Sequence, residues 1–320
     1  MRITSILFTL VLVMAISAAH AQTGKWPEKP VRIIVAAGPG GGDDFLARLI
    51  TPKLGELLGQ QFIADNRPGA GGLIGQSFVL KSPPDGYTLL LAGGSMAGAR
   101  YVNANVNYDV LRDFTPVSLI ESSQFVMVVH PTVPARNLKE YIALARSQPG
   151  KMTYGIIGAG QIPYWSAVLF NSMARIKAVE VAYKTGAAAI IDVIAGRVDY
   201  YFTSSVVAVT NKAKLRALAV TGTKRSLVFP EVPTMAEAAL PGYDMTAWRS
   251  IMGPARMRRD IVDSLNAAIG RTLAMPDIRD RMQNAGSEAT PSTPETVSRT
   301  YEDWIERFGK IAKEAGIKPQ

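Results

Sequence analysis

From Val31 onward the chain alternates between short apolar runs closed by turn residues and longer stretches in which apolar positions recur every three or four residues. The runs VRIIV (31–35), FIADN (62–66), YTLLLA (87–92), TPVSLI (115–120) and FVMVVH (125–130) are short and apolar, and they predict strands. KMTYGII (151–157), AVEVAY (178–183), VDYYFTS (198–204) and KLRALAVTG (214–222) extend the set. Between them the period becomes helical, in FLARLITPKLGELLG (45–59), NLKEYIALARSQ (137–148), PYWSAVLFNSMA (163–174) and AAAIIDVIAG (187–196). Pro52 predicts a kink in the first helix, and Asn137 predicts an N-cap for the second. The last ~70 residues predict mainly helix, strongest over 260–275 and 294–316.

Strands alternating with helices indicate an α/β fold, with mostly parallel sheets covered by helices on both faces. One unit recurs. RIIVAAGPGGGDDFLARL (32–49) and MTYGIIGAGQIPYWSAVLF (152–170) both read as strand, glycine loop, helix. The echo suggests two lobes, each offering a helix N-terminus to one cleft.

The 320 residues, 48% of them hydrophobic, suffice for two domains with cores of their own. Met1-Arg2, the apolar ILFTLVLVMAI (6–16) and the small-x-small AHA (19–21) predict a signal peptide cleaved after Ala21. The mature chain is then expected in the periplasm. There is no cysteine, which excludes disulfides, thiolate metal sites and a lipid-modified cysteine at the cleavage point. Of two histidines, His20 leaves with the signal, and His130 alone cannot build a multi-histidine metal centre. The net charge of +9 is spread along the chain, so no nucleic-acid partner is expected. Neither metal nor cofactor is expected.

The loop Gly38-Pro-Gly-Gly-Gly-Asp-Asp44 narrows the chemistry. A phosphate-cradling Walker loop needs Gly-Lys-Ser/Thr, and here two aspartates follow the glycines instead. The dinucleotide spacing also fails, because Asp43 stands where a third glycine belongs. Asp65 still lies where a ribose-binding acid would sit, so a nucleotide-dependent enzyme stays as an alternative. What remains is general anion binding by unpaired backbone N–H groups at the positive end of a helix dipole. Two like charges ~4 Å apart repel by ~4 kcal/mol at an effective dielectric near 20. A bound carboxylate therefore requires at least one of Asp43 and Asp44 to face elsewhere, or to meet a donor of the ligand.

WPEKPVRIIV, PGGGDDFLARLI, LGQQFIADNRPGAGGLIG, PPDGYTLLLA, DFTPVSLI, LRALAVTGTKRS and FPEVPTMAEAALPGYDMTAW together resemble the Bug-type periplasmic receptors of tripartite tricarboxylate transporters, the TctC family. The likeness runs from Trp26 to Gly316, and NRPGAGGLIG joined to PDGYTLL is its most specific part. It implies a two-lobed type II periplasmic binding protein fold with a hinge crossed twice. Lobe 1 would span 22–121 plus 247–320, and lobe 2 would span 122–246. It implies a monomer that captures a small organic carboxylate, di- or aromatic, and passes it to membrane permease subunits without chemistry. Carried over by position, the ligand would meet Gly40, Gly41, Gly42 and Asp44 in the first glycine loop, and Ser95 and Met96 after the third strand. In the second glycine loop it would meet Gly158, Ala159, Gly160 and Gln161.

Several positions depart from the family pattern: Asp43, Gln161, Tyr164, Val168, Thr203 and Arg249. Thr203 replaces an acid that would pair an ammonium group, which argues against an α-amino-acid ligand. Arg249 is expected either to clamp a second carboxylate or to sit at the surface beside the hinge. Tyr164, with Trp165, is either an aromatic wall of the cleft or core, and core is the plainer reading. No nucleophile–base pair is evident, which disfavours an enzyme. A ligand sensor for a membrane partner needs the same cleft and stays open beside a transport receptor.

Overall fold

The computed structural model describes residues 26–320, so the signal peptide expected over residues 1–21 lies outside the described residues. Two sheets organise the chain. The first contains β1 (Val31–Val35), β2 (Phe62–Asn66), β3 (Thr88–Gly93), β4 (Phe114–Ser123), β10 (Ala247–Pro254) and β11 (Ser287–Ala289), in the order β11-β4-β10-β3-β1-β2. The second contains β5 (Phe125–Val129), β6 (Thr153–Ile156), β7 (Val179–Ala182), β8 (Tyr200–Ser204) and β9 (Arg216–Val220), in the order β7-β6-β8-β5-β9. The chain passes to the second sheet at Gln124, between β4 and β5, and returns just before β10.

The helices used below are α1 (Gly42–Leu58), α2 (Leu73–Leu80), α3 (Leu138–Ser147), α4 (Ile162–Ala174), α5 (Gly186–Ile194), α6 (Ser205–Thr210), α7 (Arg259–Ala274), α8 (Pro276–Asn284) and α9 (Pro294–Glu314). Asn137 caps α3, its side chain accepting the Glu140 N–H at 3.0 Å. Helix α1 starts three residues earlier than expected and continues through Pro52 without a break. Among the described residues no helix is long and apolar enough to cross a membrane.

The α/β class holds, with one correction: the sheets are mixed rather than mostly parallel. Pairs β1–β2, β1–β3, β6–β7 and β6–β8 are parallel, whereas β4, β10 and β11, and likewise β5, β8 and β9, pair antiparallel. The cause is the double crossing. The returning chain enters the first sheet as β10, wedged between β3 and β4 and running against both. The last ~70 residues are mainly helical as expected, in α7, α8 and α9, with the end of β10 and the short β11 beside them.

One hydrophobic core runs through both sheets. Ile34 and Leu90 of the first belong to the same buried cluster as Met127 and Phe202 of the second. Its centre is Trp165 of α4, fully buried, with its ring 4.7 Å from that of Phe308 on α9. A Cβ on Gly98 would lie 2.7 Å from the Trp165 Nε1, so only glycine allows the indole this close. The Tyr243 hydroxyl donates to the Ser166 carbonyl at 2.9 Å and fastens the same helix to the returning chain. Phe308 is fully buried at this junction. Phe308→Ala is expected to cost about 3–5 kcal/mol through the lost burial and the cavity left behind, read as a lower urea midpoint for the whole chain.

Candidate functional site

The first glycine loop leaves β1 and turns into α1 without a side-chain cap, the N-cap being Gly41. The first bond within the helix runs from the Phe45 N–H to the Gly41 carbonyl at 2.9 Å, so the amides of the preceding turn have no helical acceptor. Asp44 does not reach the solvent. Its carboxylate accepts from Arg48 Nε and from the Gly40 N–H, both at 2.9 Å, and the residue is 5% exposed. The Arg48 bond first, and the Gly40 amide second, hold the Asp44 carboxyl below the ordinary aspartate range. Arg48 also donates to Asn66, whose amide donates to the Ala37 carbonyl, so the loop is framed from behind.

In front of this loop lies a cleft of about 750 Å³ between the two sheets. Gly41, Gly42, Asp43 and Arg249 line it from the first sheet's side, and Gln161 and Thr203 from the second. Four helices begin at its wall: α1 at Gly41 and Gly42, α4 at Gln161, α5 at Gly186 and α6 at Ser204. Thr185 and Ser204 cap α5 and α6 through their hydroxyls, but no side chain caps α1 or α4. The uncapped starts of α1 and α4 present backbone N–H groups and the positive end of the helix dipole to the cleft, which favours an anion.

The second glycine loop meets the other expected residues. Ser95, Ala159, Gly160 and Gln161 line a cavity of about 30 Å³, the share of one water molecule, and Gln161 also faces the main cleft. Gly160 has φ 89°, and a Cβ there would lie 2.8 Å from Val102, so the loop presses on the first lobe's chain. Gly40 lines an adjoining cavity of about 280 Å³, together with Arg249 and Glu121. Gly158 lies in the exposed part of the loop.

Three residues do not take the ligand-contacting roles considered for them, and for Tyr164 this is the plainer core reading. Met96 is 4% exposed and belongs to the core. Tyr164 is also core: α4 is buried throughout its first nine residues, and the Tyr164 ring sits edge-on to Trp165 at 5.5 Å. Burial first, and the Glu180 charge second, push the Tyr164 hydroxyl up to about 12, so it stays neutral. The helix that opens on the cleft with its N-terminus spends its sides on the core, which is why neither Tyr164 nor Trp165 forms a wall.

Arg249 is the third such residue. It lines the cleft, but its Nε donates to Asp43 and its Nη1 donates to Glu121. Glu121 is the cross-strand neighbour of Arg249 in the β4–β10 pair, is 4% exposed, and accepts a further bond from Ser123 at 3.2 Å. Burial alone would lower the guanidinium's affinity for its proton, but the charges of Asp43 and Glu121 outweigh it and hold Arg249 above its ordinary value. The cluster carries one net negative charge and leaves no bidentate fork for a ligand.

Sequence reasoning missed Glu121, whose signal was an acid inside an apolar strand, and it missed Lys214 and the isoleucines of α5, which also line the cleft. Asp65, the acid that kept the nucleotide alternative open, is taken by Arg67 at 3.2 Å. Among the described residues no group of three or more His, Asp or Glu is placed to hold a metal ion.

A sequence model of the family described as "Tripartite tricarboxylate transporter family receptor" matches residues 46–317. Protein BugT of Bordetella pertussis is 31% identical over 305 residues, covering 94% of this chain and 94% of its own. Among solved structures, R. palustris Rpa4515 with adipate matches with a TM-score of 0.83 and 34% identity, over 92% of this chain and 100% of that one. MatC from Rhodopseudomonas palustris with bound malate matches with a TM-score of 0.80 and 28% identity, over 90% of this chain and 100% of that one.

Two outcomes follow from the charges. Arg249→Met leaves the buried Glu121 carboxylate uncompensated and is expected to cost about 3 kcal/mol in urea unfolding. Adding Glu121→Gln to that variant restores part of the loss. Asp44 has a folded-state pKa below its unfolded one, so its contribution is present above the unfolded value and is lost as the pH falls through the folded value. The melting temperature of the parent chain is therefore expected to fall more steeply below about pH 4 than that of Asp44→Asn, as followed by circular dichroism.

Proposed function

Because the chain belongs to the tripartite tricarboxylate transporter receptor family, we propose that it is an exported periplasmic receptor that encloses a small organic carboxylate between two lobes and delivers it to the permease subunits. The observation that carries the reading is the convergence of four helix N-termini on one cleft. The lobes are 22–121 with 247–320, and 122–246, and the ligand bridges them so that the closed state is the bound state. The carboxylate lies against the uncapped amides of α1 and α4, with Gly41, Gly42 and Gln161 as its nearest contacts. Thr203 and Asp43 meet hydroxyl or other donor groups of the ligand. Ser95, with Ala159 and Gly160, holds a bridging water behind Gln161. The dicarboxylates named with two of the related structures, adipate and malate, support an acid as the ligand class.

The protein acts by binding, and the ligand leaves unchanged. Differential scanning fluorimetry with mono- and dicarboxylates, adipate and malate among them, is the direct test. A ligand present at a hundred times its dissociation constant stabilises by about 2.7 kcal/mol, which raises the melting temperature by several degrees in a chain of this size. The corresponding diamides are expected to produce no shift. Equal shifts with acids and amides, or none with any acid, would remove the reading.

A further inference from the structure

We infer that the second wall of the cleft is a subsite for a sizeable apolar ligand body, and that Lys214 at its outer end receives a second acid group. This rests on the carboxylate reading above and narrows it to acids whose two anionic ends are separated by an apolar spacer of about six carbons or an aromatic ring.

The two walls differ in kind. The first sheet's side offers glycine backbone, Ala37 and the Asp43–Arg249 pair. The second offers Phe125, Ile157, Ile190, Ile191, Ile194 and Val207. Gln161, Thr203, Ser204 and Asn211 are among its polar members. Helix α5 shows the choice most clearly. Ala189, Ile190 and Val193 form its buried face, yet Ile191 is 59% exposed and lines the cleft. One exposed isoleucine is ordinary, but this one continues through Ile194 to Val207 on the next helix, which makes a patch. A patch inside a concave site is covered by what binds there. A four-carbon hydroxy acid has little apolar surface to cover it, whereas a longer chain or a ring has enough.

The charge pattern places the far end. Arg249 is spent on Asp43 and Glu121. Lys214 is exposed, lines the same cleft, and forms no ion pair among the described residues. Its position is set by the turn after α6, where its own N–H donates to the Asn211 carbonyl at 2.8 Å. An acid held at the helix N-termini with its body along α5 and α6 directs a second carboxylate toward this ammonium group. The 750 Å³ of the cleft is within the range of sites that enclose ligands of this size.

The test is isothermal titration calorimetry of the mature chain with straight-chain monoacids and α,ω-diacids of four to ten carbons, plus benzoate and benzene-1,4-dicarboxylate. Affinity is expected to rise about fourfold for each added methylene until the wall is filled. Ile191→Ser flattens that rise. Lys214→Met lowers the affinity of each long diacid about fivefold, toward that of the monoacid of equal length, and leaves monoacids unchanged. Both substitutions are at exposed positions, and unchanged melting temperatures verify folding. Affinity that is flat or falling with length, or indifferent to both variants while acids still bind, overturns the subsite and leaves the carboxylate reading intact. Absence of binding by every acid overturns both.

Discussion

The two sheets are held together on one flank and apart on the other. On the joined flank, Trp165 from the second lobe's chain fills the space between Gly98 and Phe308 of the first, so a single core passes through both. On the open flank the same helix, α4, presents its uncapped N-terminus to the cleft. One element thus serves as brace along its sides and as cleft wall at its tip. The chain passes between the sheets twice, around Gln124 and just before Ala247, and these crossings are the hinge of the proposed closure.

The charges near that hinge follow the same economy. Glu121 is buried, and a buried carboxylate is tolerated only when paired and hydrogen-bonded. Arg249 supplies the pair, and its second bond reaches Asp43 at the start of α1. The strand leaving for the second sheet, the strand returning from it and the first turn of the glycine-loop helix are thereby tied at one guanidinium. Asp44 is withdrawn in the other direction by Arg48 and the Gly40 amide. The two adjacent aspartates are thereby turned toward different arginines, Asp44 toward Arg48 and Asp43 toward the Arg249 that Glu121 shares.

Much of the fold was legible because the relevant signals are local. Strand runs such as VRIIV and FVMVV, and the Asn137 cap, depend on neighbours a few residues away, and they appear within a residue or two of where the pattern puts them. Strand β10 was not legible as an element: AWRSIMGP shows no clean alternation, because the strand is nearly buried on both faces between two antiparallel partners. The glycine loops announced two helix starts, but the fate of Arg249 was set by residues 206 and 128 positions away in sequence. Tyr164 illustrates the reverse difficulty. Its place near the glycine loop left a cleft wall and core both open, with core the plainer, and its burial against Trp165 puts the ring in the interior.

The isoleucines of α5 explain why specificity is the least legible level. In sequence, AAAIIDVIAG is an amphipathic helix, and all its apolar residues read as core. In the structure Ile190 and Val193 are buried while Ile191 looks out, a difference of one position around the helix. In the proposed carboxylate reading, the acid group is recognised by backbone amides, which every sequence supplies wherever a helix starts in the right place. On the subsite proposed above, discrimination among acids falls to the side chains beyond those amides, the isoleucines of α5 and Lys214 among them. In that reading the two tasks fall on different atoms of the same cleft.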